Sequence, residues 1–170
     1  MMVCITGTPG TGKSSVSEIL RTKGYNVVSQ NDTAKDYIIC ADSGRDTDVI
    51  DEECWIDNFT PFDGIIEGHI IHLLPCDKVI VLRCRPDILK ERLLKRGYGK
   101  EKISENAMAE ALDVILIEAL ENHSESSILE IDTTAVSPEK TACEISDFIQ
   151  GKIPSRFGDI DWSLFLGDDI

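Results

Sequence analysis

Residues 2–14 read MVCITGTPGTGKS, and this stretch decides the fold class. An apolar run from Met2 to Thr6 predicts a buried strand, and the segment that begins at Lys13 has helical periodicity. Between them, residues 7–14 match the pattern GxxxxGK[ST]. A glycine-rich loop between a strand and a helix directs backbone N–H groups and a helix N-terminus at a phosphate chain. The stretch therefore predicts a P-loop and nucleotide binding, against the alternative of a plain glycine-rich turn.

Four residues of this loop have specific predicted roles. Gly10 and Gly12 let the backbone curl close to a phosphate chain. Lys13 supplies a positive charge to the β and γ phosphates of ATP. The Ser14 hydroxyl is a predicted ligand of Mg²⁺, so we expect the cofactors to be ATP and Mg²⁺.

The rest of the chain alternates between buried strands and helices. Short apolar runs bounded by Gly, Pro or charged residues predict strands at 2–6, 25–28, 64–67, 78–84 and 128–131. Helical periodicity predicts helices at 13–23, 86–96, 104–122 and 138–150. Strands that are apolar on both faces and separated by helices form a parallel sheet between helix layers. The expected class is α/β: a P-loop NTPase three-layer α/β/α sandwich with a five-stranded parallel sheet.

The length of 170 residues predicts one domain, which we place at residues 1–151, followed by an acidic-aromatic C-terminal tail at residues 152–170. Trp162 and Phe165 of this tail are flanked by aspartates, which predicts either packing against the domain or docking of a basic partner. The 17 Lys and Arg against 31 Asp and Glu give a net charge of −14. Such a charge argues against broad nucleic-acid binding.

The six cysteines show neither a CxxC pair nor zinc spacing with the three histidines. They predict reduced, mostly buried thiols. The chain opens into an apolar strand without a basic leader, and no apolar stretch approaches the length of a membrane span. We therefore expect a cytoplasmic protein without a membrane partner.

A second group of residues points to the reaction class. The DxxG and NKxD strings of signalling GTPases are absent from the sequence. The predicted strand at 64–67 ends in Glu67, and His69 follows two residues later. Ligands of open α/β sheets gather at the carboxyl ends of the strands. We expect Glu67 to hold a Mg²⁺-bound water or to orient the attacking oxygen, with a solvated strand-end acid as the alternative.

A basic segment adds cations to this edge. Between residues 83 and 102, eight basic residues stand against three acids, a local charge of +5. Arg92 and Arg96 are four residues apart, so they share one helix face. Such cations stabilise the charge that develops on a transferring phosphoryl group. The pattern predicts catalytic roles for these two arginines, with a solvated basic helix face as the alternative.

Two segments interrupt the regular alternation. Residues 30–50 are too long for an ordinary connection and predict an insertion that binds the monophosphate acceptor. Its expected acceptor contacts are Asp32, Lys35 and Arg45. Residues 96–104 are glycine-rich and basic, and they predict a lid over ATP. A kinase needs such closing segments because water in the site would hydrolyse ATP. The alternative is that both segments are ordinary surface loops that do not close over a substrate.

Three segments together resemble the adenylate kinase isoenzyme 6 family, the coilin-interacting nuclear ATPase type and its archaeal relatives. They are ITGTPGTGKSS at 5–15, IIEGH at 65–69 and VLRCRPDILKERLLKRGY at 81–98. The resemblance covers roughly residues 1–150. It implies a P-loop fold of the nucleoside monophosphate kinase type. It also implies reversible transfer of the γ-phosphate of MgATP to AMP or another nucleoside monophosphate, with intrinsic ATPase activity.

Positions that match the family's motifs imply the site residues. The implied nucleotide contacts are Gly10, Thr11, Gly12, Lys13, Ser14, Ser15 and the lid arginine Arg96. Glu67 and His69 fall where the family has an Asp and a His that position Mg²⁺ and water. Lys35 stands where an Arg usually grips the AMP phosphate, and a lysine lacks the bidentate fork of an arginine.

The resemblance also implies a role in ribosome biogenesis and rRNA processing, through contact with a small-subunit ribosomal protein. The alternative function is an ATPase assembly factor for the small ribosomal subunit with little kinase activity. A small-metabolite kinase is a third reading, because acceptor specificity lies in irregular loops. The first two readings differ in whether AMP consumes ATP.

Overall fold

The computed structural model describes residues 1–42 and 47–167. The strands are β1 (Met2–Thr6), β2 (Val27–Ser29), β3 (Ile38–Asp42), β4 (Thr47–Ile50), β5 (Gly64–Glu67), β6 (Lys78–Arg83) and β7 (Ile128–Asp132). The α-helices are α1 (Lys13–Thr22), α2 (Gln30–Ala34), α3 (Glu52–Asn58), α4 (Pro86–Lys95), α5 (Lys100–Ala111), α6 (Val114–Asn122) and α7 (Pro138–Ile149). Short 3₁₀ helices cover Lys35–Tyr37, Ile71–Leu73, Glu125–Ser127 and Ser163–Gly167.

Five of the strands form one parallel sheet in the order β2-β5-β1-β6-β7. The central strand is β1, in which Cys4 lies opposite Ile66 of β5 on one side and Val79 of β6 on the other. A switch in strand order next to the first strand leaves a crevice at the carboxyl ends of the strands, where the P-loop (residues 7–14) begins. The predicted five-stranded parallel sheet is confirmed.

Both faces of the sheet are covered by helices because both faces of each strand are apolar. Val3 and Ile5 of β1 pack into one buried cluster with residues of α1 and α7. Met2 and Cys4 point to the other face and pack with residues of α3 and α6, among them the buried Trp55. Burial on this scale supplies the main driving force of folding, at about 25 cal/mol per Å² of apolar surface. The predicted three-layer sandwich is therefore confirmed.

The single helix predicted at 104–122 is wrong. The chain forms α5 and α6 instead, with a break at Asp113, whose φ of 55° is left-handed. Aspartate tolerates this conformation better than most residues, and the Asp113 carboxylate here forms an ion pair with Arg83. Helix α5 also begins at Lys100, so most of the 96–104 segment is helical and its irregular part is a turn at residues 96–99.

The insertion after β2 forms its own small structure. Helix α2 leads into the antiparallel β3–β4 hairpin, and α3 returns the chain to the sheet. Trp55 of α3 is 1% exposed and packs edge-on against Phe59, with ring centroids 6.0 Å apart. The predicted acceptor contact Arg45 lies outside the described residues.

The prediction for the cysteines is wrong in part. Cys4 and Cys76 form a disulfide, with Cα atoms 6.1 Å apart. The pairing of β1 with β6 brings these two residues together across 72 positions of sequence, so no local pattern signals the bond. Of the described free cysteines, Cys84 is buried whereas Cys54 and Cys143 are exposed.

The C-terminal tail packs on the domain. Arg156 forms a parallel bridge with Leu129 at the edge of β7, and the backbone N–H of Gly158 donates to Glu130 Oε2 at 2.8 Å. The 3₁₀ helix Ser163–Gly167 then contacts α5. Within the ranges that the structure describes, no helix is both long and apolar enough to cross a membrane.

Candidate functional site

The P-loop curls tightly because its three glycines, Gly7, Gly10 and Gly12, adopt backbone conformations that other residues rarely adopt. Gly12 has a φ of 100° and directly precedes α1, so the loop turns straight into the helix. Gly10 has a φ of 95°, and a Cβ atom there would lie 2.8 Å from Leu89 of α4. This geometry leaves backbone N–H groups and the N-terminus of α1 facing one space, as anion binding requires.

Lys13 lies over the loop that precedes it. Its Nζ donates to the carbonyl oxygens of Gly7 at 2.6 Å and Thr8 at 3.1 Å. Burial lowers the pKa of Lys13 to about 8, while the carboxylates of Glu67 and Glu110 act in the opposite direction. The ammonium is therefore a positive charge fixed beside the loop, as the sequence predicts for a phosphate contact.

A central cavity of about 230 Å³ joins the P-loop to the carboxyl end of β5. Its walls include Lys13, Ser14, Glu67, His69 and Arg96. Five of the residues predicted for nucleotide binding, metal binding or catalysis thus surround one space, although they come from three different parts of the chain.

His69 is neutral in this environment. Partial desolvation at the cavity wall lowers its pKa, and the positive charge of Lys13 adds to the effect. A neutral imidazole can donate or accept a hydrogen bond at physiological pH but does not act as a cation. A neutral His69 on the wall of the central cavity can therefore orient an oxygen there through a hydrogen bond.

The oxygen atoms that line the central cavity are suitable ligands for Mg²⁺. Ser14 offers a hydroxyl oxygen and Glu67 a carboxylate oxygen, both hard ligands. Among residues 1–42 and 47–167, no group of three or more His, Cys, Asp or Glu residues is placed to hold a metal ion. Mg²⁺ typically relies on one or two protein ligands, substrate phosphates and water, which matches this sparse set.

The two predicted arginines differ in their contacts. The guanidinium of Arg92 donates to the backbone oxygens of Gly10 at 3.3 Å, Thr133 at 2.8 Å and Thr134 at 3.2 Å. Arg92 therefore ties the P-loop to the loop after β7. Arg96 is exposed and lines the central cavity, so its charge faces the space that the phosphates would occupy.

The predicted basic surface between residues 83 and 102 is smaller than its composition suggests. Arg83 is 2% exposed and pairs with Glu110, Asp113 and Glu130. Arg85 pairs with Asp87 at 2.7 Å. Both cations are thus paired with acids, and the partners of Arg83 lie outside residues 83–102, so the count along that segment did not include them.

A donor cavity of about 310 Å³ lies on one side of the central cavity. It is bounded by Thr11 and Gly12 of the P-loop, by Ser15 of α1, by Arg92, and by Val136 in the loop after β7. The donor and central cavities share Gly10, Gly12 and Arg96. Thr133 also lines the donor cavity, and its hydroxyl lies 2.8 Å from the carbonyl oxygens of both Thr11 and Arg83, to one of which it donates at a time.

An acceptor cavity of about 560 Å³ lies on the opposite side. Its walls combine the apolar Ile38, Val49 and Ile70 with Lys35 and Glu52. It shares Gln30, Asn31 and His69 with the central cavity. Volumes between roughly 300 and 1,000 Å³ are typical of small-molecule sites.

The predicted acceptor contacts Asp32 and Lys35 bind each other. Lys35 Nζ lies 2.8 Å from Asp32 Oδ1, and both side chains are more than half exposed. Lys35 also lines the acceptor cavity, so a phosphate there would compete with Asp32 for its charge.

Gln30 is a site residue that the sequence analysis missed. It is 5% exposed, and its Oε1 accepts from the backbone N–H groups of His69 at 2.9 Å and Ile70 at 3.2 Å. Gly68 has no side chain, which leaves room for Gln30: a Cβ there would lie 2.3 Å from Gln30 Oε1. The glycine between Glu67 and His69 was the available signal, but it does not say which residue fills the space.

Comparison with known proteins identifies the fold and the family. Residues 3–113 match the AAA domain family. A solved structure, that of the YorR protein of Bacillus subtilis in complex with phosphorylated GDP, has the same fold with a TM-score of 0.60 at 16% sequence identity. It covers 89% of this chain and 97% of its own.

Three archaeal proteins, each named "Putative adenylate kinase", are similar along nearly the full length. The protein of Archaeoglobus fulgidus is 45% identical over all of this chain and 96% of its own length. The relative from Thermococcus gammatolerans is 41% identical over 96% of this chain and 93% of its own. The relative from Methanothermobacter thermautotrophicus is 40% identical over 97% of this chain and 99% of its own length. The chain therefore belongs to the AAA domain family and, within it, to this group of archaeal adenylate kinase relatives.

Proposed function

We propose that this protein is a nucleoside monophosphate kinase that transfers the γ-phosphate of ATP to AMP. One observation carries the proposal: the donor, central and acceptor cavities form a continuous row, with shared residues at both junctions. An enzyme that only hydrolyses ATP needs the first two of these spaces. A third cavity with apolar walls, reached through the phosphate site, suits a second nucleotide.

In the proposed reaction, the adenine of ATP occupies the donor cavity and its phosphates follow the P-loop into the central cavity. An oxygen of the acceptor's phosphate attacks the γ-phosphorus. The bond from this phosphorus to the bridging oxygen breaks, and its electron pair stays on ADP. Lys13 and Arg96 face the transferring group, where positive charge lowers the barrier most.

Glu67 and His69 orient the oxygens around this group from the end of β5. Mg²⁺, when bound through Ser14 and Glu67 together with the phosphates, would neutralise part of their charge. Arg92 acts indirectly in this proposal, because its guanidinium is engaged by backbone carbonyls of the P-loop and the neighbouring loop. The turn at residues 96–99 and the β3–β4 hairpin are the proposed closing segments.

The test is a product analysis of the purified chain with ATP and Mg²⁺, in which ADP and free phosphate are measured separately. Reactions run without acceptor and with AMP, GMP, CMP or UMP. We expect AMP to give ADP without matching phosphate release, because the acceptor takes the γ-phosphate. Phosphate release at the same rate with and without every acceptor would overturn the kinase proposal.

That contrary result would favour the second candidate, an ATPase assembly factor for the small ribosomal subunit. The net charge of −14 supports a basic partner such as a ribosomal protein, since opposite charges speed encounter. We also propose the isoenzyme 6 type of intrinsic ATPase activity and a role in ribosome maturation as additions to the kinase activity. The test is whether small-subunit particles change the rate of phosphate release without acceptor.

A further inference from the structure

A buried carboxylate outside the three cavities supports the P-loop from below. Glu110 of α5 is 2% exposed. Its Oε2 accepts from the Thr8 hydroxyl at 2.5 Å, and its Oε1 accepts from Arg83 Nε at 2.7 Å and from the backbone N–H of Cys84 at 3.0 Å. One side chain therefore joins the P-loop, the end of β6 and α5.

This carboxylate is held in one position by its neighbours. Arg83 Nη2 also donates to the backbone oxygen of Glu110 at 2.9 Å, so the arginine binds both the side chain and the main chain of Glu110. Arg83 is itself fixed by ion pairs with Asp113 and Glu130. Burial lowers the pKa of Arg83, but these carboxylates raise it well above its ordinary value, so its charge is permanent.

The buried ion pairs around Arg83 carry a large desolvation cost, which a purely structural role does not explain. The cluster places Glu110, Asp113 and Glu130 around one arginine, and a buried ion pair is often no more stable than apolar side chains of the same volume. It also places a negative group beneath a loop that binds phosphate. Such an arrangement calls for a role in the site itself.

Thr8 links the cluster to the site. Its hydroxyl is committed to Glu110, while its carbonyl oxygen accepts from Lys13 Nζ at 3.1 Å and from the backbone N–H of Thr11 at 3.2 Å. The side chain of Thr8 is 3% exposed. Rotation of this residue would move the carbonyl on which the Lys13 ammonium rests.

Helix α5 connects the same contact to the proposed lid. Its first residue, Lys100, follows the turn at residues 96–99, and Glu110 lies near its other end. The helix is rigid over this distance because its backbone hydrogen bonds are internal. A displacement of the turn therefore reaches Thr8 through Glu110.

We propose that Glu110 is a positioning residue, which locks Thr8, and through it Lys13, to the helix that leads out of the lid. The inference rests on the proposed phosphoryl transfer. It predicts that the hydroxyl of Thr8 contributes to ATP affinity and turnover although it faces away from the three cavities.

The test compares Thr8→Val with Thr8→Ser. Valine keeps the shape of threonine but removes the donor, whereas serine keeps the donor. We expect Thr8→Val to lower kcat/KM for ATP and to weaken the Kd for MgATP by roughly tenfold, the effect of losing a hydrogen bond to a charged group. Thr8→Ser should stay within about twofold of the parent chain, and KM for AMP should be unchanged in both variants, since the acceptor cavity is untouched.

The single variant Glu110→Gln and the double variant Thr8→Val/Glu110→Gln complete a double-mutant cycle for the affinity of MgATP. If the two residues act as one unit, the double variant loses no more ATP affinity than Glu110→Gln alone. Circular dichroism and thermal melting report folding, and Thr8→Ala replaces Thr8→Val if that chain does not fold. An unchanged Kd for Thr8→Val, equal losses for valine and serine, or strictly additive losses would each overturn the inference. Because Kd is measured without acceptor, the test stands even if the parent chain fails to phosphorylate AMP.

Discussion

The donor side and the acceptor side of this molecule are built differently. The donor side is cross-linked to the body of the sheet: Arg92 and Thr133 join the P-loop to β6 and to the loop after β7, through hydrogen bonds to backbone oxygens. The acceptor side is a separate hairpin whose wall residues Ile38 and Val49 are 43% and 40% exposed. Its closest polar link to the reaction centre is Gln30, which holds the turn after β5.

The difference indicates how the two substrates are received. A donor site built from fixed backbone groups needs little reorganisation when a phosphate chain arrives. An acceptor site with exposed apolar walls gains most from burying those walls against a base, so its hairpin is the part that we expect to close. Variants on the donor side should therefore affect the chemical step, and variants on the acceptor side should affect KM for AMP.

The largest expected effect is that of Lys13→Ala. Removing a preorganised cation from the transferring phosphoryl group should lower kcat by roughly 10²–10³-fold. The fold should survive, because Lys13 is not part of the hydrophobic clusters that hold the sheet and its helices together. ADP formation with AMP measures the effect. Lys152→Ala, which removes an exposed lysine outside the three cavities, is the matched control. Turnover of the Lys13 variant equal to that of the control would refute the assigned role.

The second largest effects are expected for Arg92 of α4 and for Arg96, which caps the C-terminus of that helix. Arg96→Ala should lower kcat by roughly 10–100-fold, because a cation facing the phosphates is lost, while the melting temperature stays unchanged. Arg92→Ala should instead destabilise the protein by roughly 1–3 kcal/mol, because it leaves backbone oxygens of Gly10, Thr133 and Thr134 without a donor.

Steady-state kinetics and thermal melting of both variants separate the two roles. The same loss of kcat without loss of stability in Arg92→Ala would show that its guanidinium acts on the phosphates directly. The two variants together thus test whether Arg92 holds the P-loop to the loop after β7.

Much of the fold could be predicted because its signals are local. The P-loop motif occupies only eight residues, and each sheet strand contains an apolar run that is visible in the sequence. Strand ends are less exact: the strand predicted at 25–28 is Val27–Ser29 in the structure. The same holds for Lys13, Ser14 and Glu67, which follow or end a predicted strand. Their convergence in the central cavity follows from parallel strands ending at one edge.

The remaining site features depend on partners far along the chain. Arg83 looks like one more cation in a basic segment until Glu110 and Glu130 neutralise it from 27 and 47 residues away. One weak signal existed: Glu110 is spaced with Ile103 and Ala107 along the buried stripe of α5, where an acid requires a buried partner. The identity of that partner depends on where the fold places Glu110 relative to Arg83 of β6, which spacing alone does not supply.

A smaller effect, confined to the acceptor side, is expected for Gln30→Leu. The N–H groups of His69 and Ile70 lose their acceptor, so the turn beside the acceptor cavity should loosen. We expect KM for AMP to rise by roughly tenfold while KM for ATP stays the same, since an unmade hydrogen bond at this position costs about 1–3 kcal/mol. Thr33→Ala, on the same helix but outside the three cavities, is the control. An equal rise in both KM values would mean that Gln30 supports the whole site and that the two sides are not independent.

The smallest expected effect is that of Lys35→Arg, and it bears on the same division. Lys35 is exposed and already paired with Asp32, so the substitution should leave the melting temperature unchanged. If Lys35 contacts the acceptor's phosphate, the planar fork of arginine should lower KM for AMP by roughly two- to fivefold, with kcat and KM for ATP unaffected. Titration of AMP at saturating ATP measures this, and Lys35→Ala should move KM in the opposite direction. Identical KM values for lysine, arginine and alanine at position 35 would show that Lys35 does not contact the acceptor's phosphate and would place that phosphate against another part of the insertion.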